Sequence, residues 1–130
     1  MKRTRHGADA VGEVVALGDG APQVLLGKRV MVDGWLRDWS DPLNKDKAGY
    51  FGSECNGGYA EYTVANAQNV GAVQSDLSDA ELATFSCSYT TAEGMLSRAH
   101  VGERDTVLVT GASGGVGSAV VQLAKRRGAA

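Results

Sequence analysis

Four glycines fall within seven residues near the end of this 130-residue sequence, in the segment 111–117 that reads Gly-Ala-Ser-Gly-Gly-Val-Gly. Glycine lets the backbone turn sharply and approach a ligand closely, because it has no Cβ. A helix that begins at such a turn offers free N–H groups and the positive end of its dipole to a phosphate. The segment therefore indicates a phosphate-binding turn, in which we expect Gly114 or Gly115 to have a positive φ. Its glycine spacing departs from the common G-x-G-x-x-G pattern.

The elements predicted on either side of the turn strengthen this interpretation. Residues Arg104 to Thr110 centre on Val-Leu-Val, which is typical of a buried parallel strand. A helix is predicted from Gly115 to about Arg127, and Gly128 is a natural stop for it. A strand, a glycine turn and a helix in this order favour dinucleotide binding over a merely tight turn. The apolar face of the predicted helix comprises Val116, Ala119, Val120, Leu123 and Ala124.

The first half of the sequence is predicted to be rich in β-structure. Short runs of β-formers bounded by glycine or turn residues predict four strands. Between the second and third strands, residues Gly34 to Gly57 show neither strand nor helix periodicity and predict a long loop or lobe. The strands are expected at Val11 to Leu17, Arg29 to Val32, Gly58 to Val64 and Asn69 to Val73.

Two helices are predicted between this β-rich half and the glycine turn. Ser78 precedes Glu81 by three residues, which is the spacing of a capping box at a helix start. This first helix should extend to about Phe85. Apolar or small residues at helical spacing then predict a second helix from Thr90 to Ala99.

Composition and charge exclude several classes of protein. The sequence has 13 Lys and Arg against 15 Asp and Glu, a net charge of −2, so no broad basic surface for nucleic acid is indicated. No apolar stretch approaches the ~20 residues of a membrane span, and no apolar run follows the basic N-terminus as in a signal peptide. Two cysteines cannot build a disulfide framework. These features favour a cytoplasmic protein without a membrane or nucleic-acid partner.

Three upstream segments resemble motifs of the medium-chain dehydrogenase/reductase family, in the family's order. They are Gly7 to Gly18, which resembles G-x-D/E-x-x-G-x-V-x-x-x-G, Gly27-Lys28-Arg29-Val30, which resembles G-D-R-V, and Gly57 to Tyr62, which resembles G-G-x-A-E-Y. The glycine turn also resembles that of short-chain dehydrogenases. In those enzymes, however, the turn opens the chain and a Tyr-x-x-x-Lys pair follows it, and no tyrosine here precedes a lysine by four residues.

The medium-chain resemblance implies an α/β fold in three parts. An incomplete GroES-like, β-rich catalytic domain would occupy residues 1–75, connecting helices residues 76–103, and the first β-α unit of a Rossmann domain residues 104–130. The expected function is hydride transfer between NAD or NADP and a small alcohol, carbonyl, quinone or enone. The resemblance allows a homo-oligomer. The acidic or basic residue that contacts the ribose lies about 20 residues past the glycines, and only 13 residues follow Gly117 in this sequence. The chain is therefore expected to be a truncated, inactive part of such an enzyme.

The ligands of a catalytic zinc are largely absent. Zinc-type members of the family use a cysteine, the histidine of a G-H-E motif and a later cysteine, whereas this sequence has Gly7-Ala8-Asp9 at the G-H-E position. Cys87 stands where the later cysteine would be, and a lone cysteine is more often a small buried hydrophobe. His6 and His100 show no ligand spacing and are expected to be surface or capping residues. We expect no zinc.

The resemblance also suggests residues near the ligands. Cys87 and Tyr89 are candidates for the substrate side, although Tyr89 could equally pack in the core. Thr91 matches a family threonine near the nicotinamide, and its alternative role is to satisfy the backbone at a helix N-terminus. The aromatic residues of the predicted lobe could line a substrate pocket or only keep the lobe ordered. The expected cofactor-binding residues are Thr91, Gly111, Ala112, Ser113, Gly114, Gly115, Val116 and Gly117.

Two other functions stay open at this point. The β-rich half could be a non-catalytic binding module with a vestigial glycine turn, or the chain could be a fragment similar to a short-chain dehydrogenase. The sequence does not distinguish NAD from NADP, and it does not identify the substrate, the catalytic residues or the oligomeric state.

Overall fold

The computed structural model describes residues 5–41 and 44–130, which form two compact units. The first unit is Met1–Ser86 and the second is Cys87–Ala130. Strands and helices are both present, and the fold is α/β. Among the described residues, no helix has both the length and the apolar character needed to cross a membrane.

The described residues of the first unit form five short strands, arranged in two antiparallel sheets. Three of them form a sheet in the order β1–β2–β5, and the other two pair as β3–β4. The side chains of β2 alternate, so that Val30 and Val32 are buried. The strands are β1 (Val11–Glu13), β2 (Arg29–Val32), β3 (Trp35–Leu36), β4 (Gly49–Tyr50) and β5 (Val70–Ala72).

Two of the predicted strands need correction. The strand predicted from Val11 to Leu17 ends at Glu13, although Val14 continues the backbone pairing with Lys28. The predicted strand at Gly58 to Val64 is wrong, because these residues pair with none of the five strands. Propensity alone does not make a strand, since its N–H and C=O groups need a neighbouring ladder. The Arg29–Val32 strand is confirmed, and the last strand is one residue shorter than predicted at each end.

The predicted loop between Gly34 and Gly57 is more regular than expected. It contains the β3–β4 pair and a short 3₁₀ turn at Lys45–Lys47. The guanidinium of Arg37 lies 4.6 Å from the ring centre of Trp35 and 4.9 Å from that of Trp39. A cation between two indoles stabilises the segment by cation–π attraction. Of the four aromatic residues of the lobe, Trp35, Trp39, Tyr50 and Phe51, Phe51 is fully buried, which fits the alternative role of keeping the lobe ordered, and Tyr50 on β4 is exposed.

The first helix, α1 (Asp79–Ala83), begins with the predicted capping box. The Ser78 hydroxyl accepts from the Glu81 backbone N–H, and the Glu81 carboxylate accepts from the Ser78 backbone N–H at 2.8 Å. Arg29 on β2 fixes the segment that enters α1 by donating to Asp79 and to the carbonyls of Ser75 and Leu77. The arginine of the Gly27 to Val30 motif therefore links the sheet to the first helix.

The glycines of two upstream motifs meet in the first unit. Gly58 donates a backbone hydrogen bond to Gly7 at 2.8 Å, and Gly57 donates to Arg5 at 2.8 Å. Gly7 has a φ of +104°, and a Cβ on Gly57 would overlap the carbonyl oxygen of Gly7. Both motifs therefore need glycine because their backbones pack directly on each other.

The second unit is built on two helices. Helix α2 (Phe85–Arg98) begins five residues before the predicted Thr90, and α3 (Gly115–Arg126) lies where the sequence predicted it. Small and apolar side chains of both helices meet in one buried cluster. The buried core of this unit consists of Ala92, Leu96, Ala119, Val120 and Ala124.

Both of these helices end in the same way. His100, with a φ of 54°, and Gly128, with a φ of 83°, take the left-handed conformation just after α2 and α3. The N–H of each following residue bonds back to the helix, as Val101 does to Leu96, which is the Schellman arrangement. The predicted roles of Gly128 as a helix stop and of His100 as a capping residue are confirmed.

The buried parallel strand predicted at Arg104 to Thr110 does not form. No strand is present over these residues, and Leu108 is 91% exposed. The segment has only two ladder-like hydrogen bonds, from the Val107 N–H to the Ala130 carbonyl and from the Ala130 N–H to the Asp105 carbonyl. Ala130 thus bonds to Asp105 and to Val107, the residues on either side of Thr106. Such a pair of bonds is the pattern of parallel strand pairing. Both bonds involve Ala130 alone, and pairing with a single residue does not make a strand.

Candidate functional site

The glycine turn connects the extended segment before it directly to α3. Gly111 has a φ of +66°, and its carbonyl accepts a hydrogen bond from the Gly114 N–H at 3.0 Å. Gly114 is the N-cap of α3 with a φ of −81°, and its carbonyl accepts from the Ser118 N–H. The expectation of a positive φ at Gly114 or Gly115 is therefore wrong, because the reversal of the chain takes place at Gly111.

The other three glycines differ in what surrounds them. A Cβ on Gly117 would overlap the carbonyl oxygen of Gly111, and a Cβ on Gly115 would lie 2.7 Å from the hydroxyl of Ser88. A Cβ on Gly114 would meet nothing closer than the Gly111 carbonyl oxygen at 3.5 Å, an ordinary contact. Gly117 is thus required by backbone packing within the chain. A Cβ on Gly115 would displace only the Ser88 hydroxyl, and one on Gly114 would displace nothing.

The electrostatics of α3 leave its N-terminus open to an anion. The N-cap makes no side-chain hydrogen bond, and the first turn has no acidic residue. Lys125 and Arg126 lie in the last turn, where the helix dipole favours cations. The first N–H groups of a helix have no intrahelical acceptor, so the positive end of α3 is not neutralised by its own residues.

The candidate residues on α2 lie on different faces of that helix. Tyr89 is half-buried and packs against the core of the second unit, whereas Cys87 and Thr91 are exposed. Thr91 is the seventh residue of α2, so its proposed alternative role at a helix N-terminus is wrong. Sequence reasoning missed Ser88, whose hydroxyl lies beside Gly115. Ser88 lies four residues before the buried Ala92 and so on the same face of α2, and this spacing could have identified it.

The described residues do not supply a zinc site. Within residues 5–41 and 44–130, no group of three His, Cys, Asp or Glu side chains could hold a metal ion. Neither Cys55 nor Cys87 forms a disulfide. The Nδ1 atom of His6 lies 3.2 Å from the Gly52 carbonyl, and His100 is part of the α2 cap. These residues are not grouped as the three protein ligands that a catalytic zinc needs.

A family model matches more than half of this chain. The model describes the alcohol dehydrogenase GroES-like domain, and it matches residues 3–75. The chain belongs to this family, the medium-chain dehydrogenases/reductases. The resemblance inferred from the three upstream motifs is thereby confirmed.

Two relatives illustrate the breadth of the family. The chain is 32% identical to an NAD-dependent alcohol dehydrogenase of Sulfolobus acidocaldarius over 126 residues, covering 92% of this chain and 37% of the relative. It is also 32% identical to a quinone oxidoreductase of Pongo abelii over 123 residues, covering 94% of this chain and 32% of the relative.

Solved structures of similar proteins have the same fold. A protein of Sinorhizobium meliloti, provisionally named an alcohol dehydrogenase, is 49% identical with a TM-score of 0.82, over 97% of this chain and 35% of that one. A cobalt- and zinc-bound thermostable alcohol dehydrogenase of Pyrobaculum aerophilum is 33% identical with a TM-score of 0.83, over 97% and 40%. The chain spans about a third to two fifths of the length of these proteins.

Proposed function

We propose that this chain is part of an NAD(P)-dependent oxidoreductase and that residues 111–117 bind the pyrophosphate of the cofactor. The reaction is hydride transfer to or from a small alcohol, carbonyl, quinone or enone. The nicotinamide supplies the chemistry by donating or accepting the hydride. The protein's part is to hold the dinucleotide by backbone N–H groups and to exclude water around it.

The carrying observation is the environment of Gly114. Its φ and ψ of −81° and 165° suit any residue, and no atom of the described chain crowds the place of a Cβ. At an N-cap, Ser, Asn or Asp usually stabilises a helix better than Gly. At the N-cap of a helix that follows a glycine turn, a ligand in the space beside Gly114 accounts for the glycine. The second glycine of dinucleotide-binding turns has this role.

Other features support a nucleotide-binding unit. The two hydrogen bonds of Ala130 beside Thr106 are those expected where a parallel strand would begin. We propose that residues 104–130 are the first β-α unit of a Rossmann domain, preceded by connecting helices at 76–103 and a GroES-like domain at 1–75. The binding residues are Gly111, Ala112, Ser113, Gly114, Gly115, Val116 and Gly117.

On the substrate side we propose Cys87 and Tyr89, with Thr91 toward the nicotinamide. No step of the reaction is assigned to a zinc ion, because Ala8 stands in place of the family's histidine. Zinc analysis of the purified protein should give well below one equivalent. Stoichiometric zinc that is lost in Cys87→Ser would contradict this. The proposal places the protein in the cytoplasm with small-molecule partners, and it is compatible with a homo-oligomer.

The test is the binding of NADH and NADPH to the native polypeptide that contains these residues, measured by fluorescence titration. Gly114→Val places a branched Cβ beside the turn and should raise the dissociation constant about 30-fold, which corresponds to about 2 kcal/mol. Gly102→Val is the matched control, because Gly102 lies in the same unit with nothing within 4 Å of a Cβ. Equal affinities of the wild-type and Gly114→Val proteins would refute the assignment of the turn to phosphate binding.

A further inference from the structure

Ser88 on α2 lies directly against the first residue of α3. A Cβ built on Gly115 would be 2.7 Å from the Ser88 hydroxyl oxygen and 3.6 Å from the Ser88 Cβ. Gly115 opens α3, immediately after the N-cap Gly114. The Ser88 hydroxyl is therefore adjacent to the end of α3 where N–H groups lack intrahelical acceptors.

The packing of α2 holds Ser88 in this place. Residues four apart lie on one face of a helix, and Ser88 is followed at this spacing by Ala92 and Leu96. Both of these are buried in the core that contains Ala119 and Val120 of α3. Thr91, three residues further on, is exposed. The hydroxyl that the structure places against the first residue of α3 is that of Ser88.

The Ser88 hydroxyl makes no hydrogen bond within the part of the chain that the structure describes. Serine and threonine inside helices often bond to a backbone carbonyl in the preceding turn. Thr90 does so to Cys87, and Ser118 to Gly115. Ser88 is half-buried and beside a helix end that has neither a capping side chain nor an acidic residue. A hydroxyl donor and backbone donors at one place suit an anionic ligand.

We propose that the Ser88 hydroxyl donates a hydrogen bond to a phosphate oxygen of the dinucleotide held at the glycine turn. This inference rests on the proposed function, and it adds a side chain from α2 to a site otherwise made of backbone. It also assigns a second reason for glycine at 115, because a methyl group there would push the Ser88 hydroxyl out of position.

The experiment compares Ser88→Ala with Thr91→Val in the native polypeptide, using NADH and ADP-ribose as probes in calorimetric titrations. Ser88→Ala should weaken both probes about tenfold, the scale of a hydrogen bond to a charged group. Alanine is a good helix former, so the melting temperature should not fall. Thr91→Val removes an exposed hydroxyl one turn away and should leave ADP-ribose affinity unchanged. Ser88→Thr keeps the hydroxyl and should restore most of the affinity.

The outcomes separate this inference from the proposed function. If Gly114→Val loses binding while Ser88→Ala binds both probes like the wild type, the Ser88 assignment is wrong and the turn assignment stands. If Ser88→Ala weakens NADH but not ADP-ribose, the contact is not to the phosphates and the inference is overturned. If neither Gly114→Val nor Ser88→Ala changes affinity, the proposed function fails and this inference fails with it.

Discussion

At the scale of single residues, each glycine of the turn is present for a different physical reason. Gly111 provides a positive φ, Gly117 allows the backbone of α3 to approach the Gly111 carbonyl, and Gly115 makes room for Ser88. Only Gly114 is unconstrained by the described chain. Glycine spacing in the sequence identified the turn but could not assign these reasons, since each depends on atoms that folding brings close.

The internal constraint at Gly117 predicts a cost in stability that is independent of any ligand. Gly117→Ala places a methyl group on the backbone of Gly111, and neither backbone can move aside cheaply. We expect a loss of about 2–3 kcal/mol in the free energy of unfolding. Gly115→Ala meets only the Ser88 hydroxyl, which can rotate, and should cost less.

Chemical denaturation of the two variants, followed by circular dichroism, measures both effects. Gly102→Ala serves as the control, because its Cβ would meet nothing within 4 Å. A Gly117→Ala protein as stable as this control would show that the turn is looser than the structure has it.

At the scale of elements, the start of α1 is the feature that the sequence predicted best. A capping box depends on two side chains three residues apart, so it forms wherever the local chain becomes helical. The end of α2 is also local, although its left-handed residue is a histidine rather than the usual glycine. By contrast, the predicted strand at Gly58 to Val64 failed because its partner would have to come from elsewhere.

The capping box predicts how the start of α1 responds to pH. Hydrogen bonds from the Ser78 hydroxyl, then from the Ser78 backbone N–H, lower the pKa of Glu81 below its ordinary value. A lowered pKa means that the carboxylate stabilises the folded state above the ordinary glutamate pKa. This stabilisation is lost as the pH falls through the lowered value.

The Ser78 backbone amide should report this titration in NMR spectra recorded from neutral pH down to acid pH. Its chemical shift should change with a midpoint below the ordinary glutamate value, and Glu81→Gln should abolish the change. A short blocked peptide that contains one glutamate provides the reference in the same buffer. A Ser78 midpoint equal to that of the peptide would contradict the capping-box prediction.

At the scale of the whole molecule, each unit contains one arginine whose hydrogen bonds join different segments of that unit. Arg29 bonds to Asp79 at 2.7 Å and to two carbonyls in the first unit. Arg127 bonds to Glu93, to the Ser97 hydroxyl and to the Val101 carbonyl in the second unit. Both arginine side chains are less than one-third exposed, whereas their acidic partners are largely exposed, which limits the value of each ion pair.

Removing each arginine should therefore destabilise one unit and leave the other unchanged. We expect Arg29→Ala and Arg127→Ala each to cost about 1–2 kcal/mol, and the double variant to show the sum because the two sites share no partner. Hydrogen exchange should locate the first effect at Arg29–Val32 and the second at Gly115–Arg126. Arg126→Ala, beside Arg127 but exposed, is the control and should change little. Faster exchange in both units of a single variant would contradict this separation.

The sequence by itself determined the features that depend on neighbouring residues. These are the Arg29–Val32 strand, the capping box, the helix stop at Gly128, the position of α3 and the presence of a sharp glycine turn. Their hydrogen bonds and backbone angles are set within a few residues, so residue type and spacing are sufficient to predict them. The family motifs could also be recognised in the sequence. The sequence did not show why they contain glycine.

Only the tertiary structure decided which residues meet. It paired β3 with β4 inside the predicted loop, left residues 104–110 without a ladder, and packed Gly7 on Gly57. It also placed the Ser88 hydroxyl beside Gly115. Each of these outcomes depends on a partner distant in the chain, and a strand or a helix face has no intrinsic preference among partners until packing supplies one.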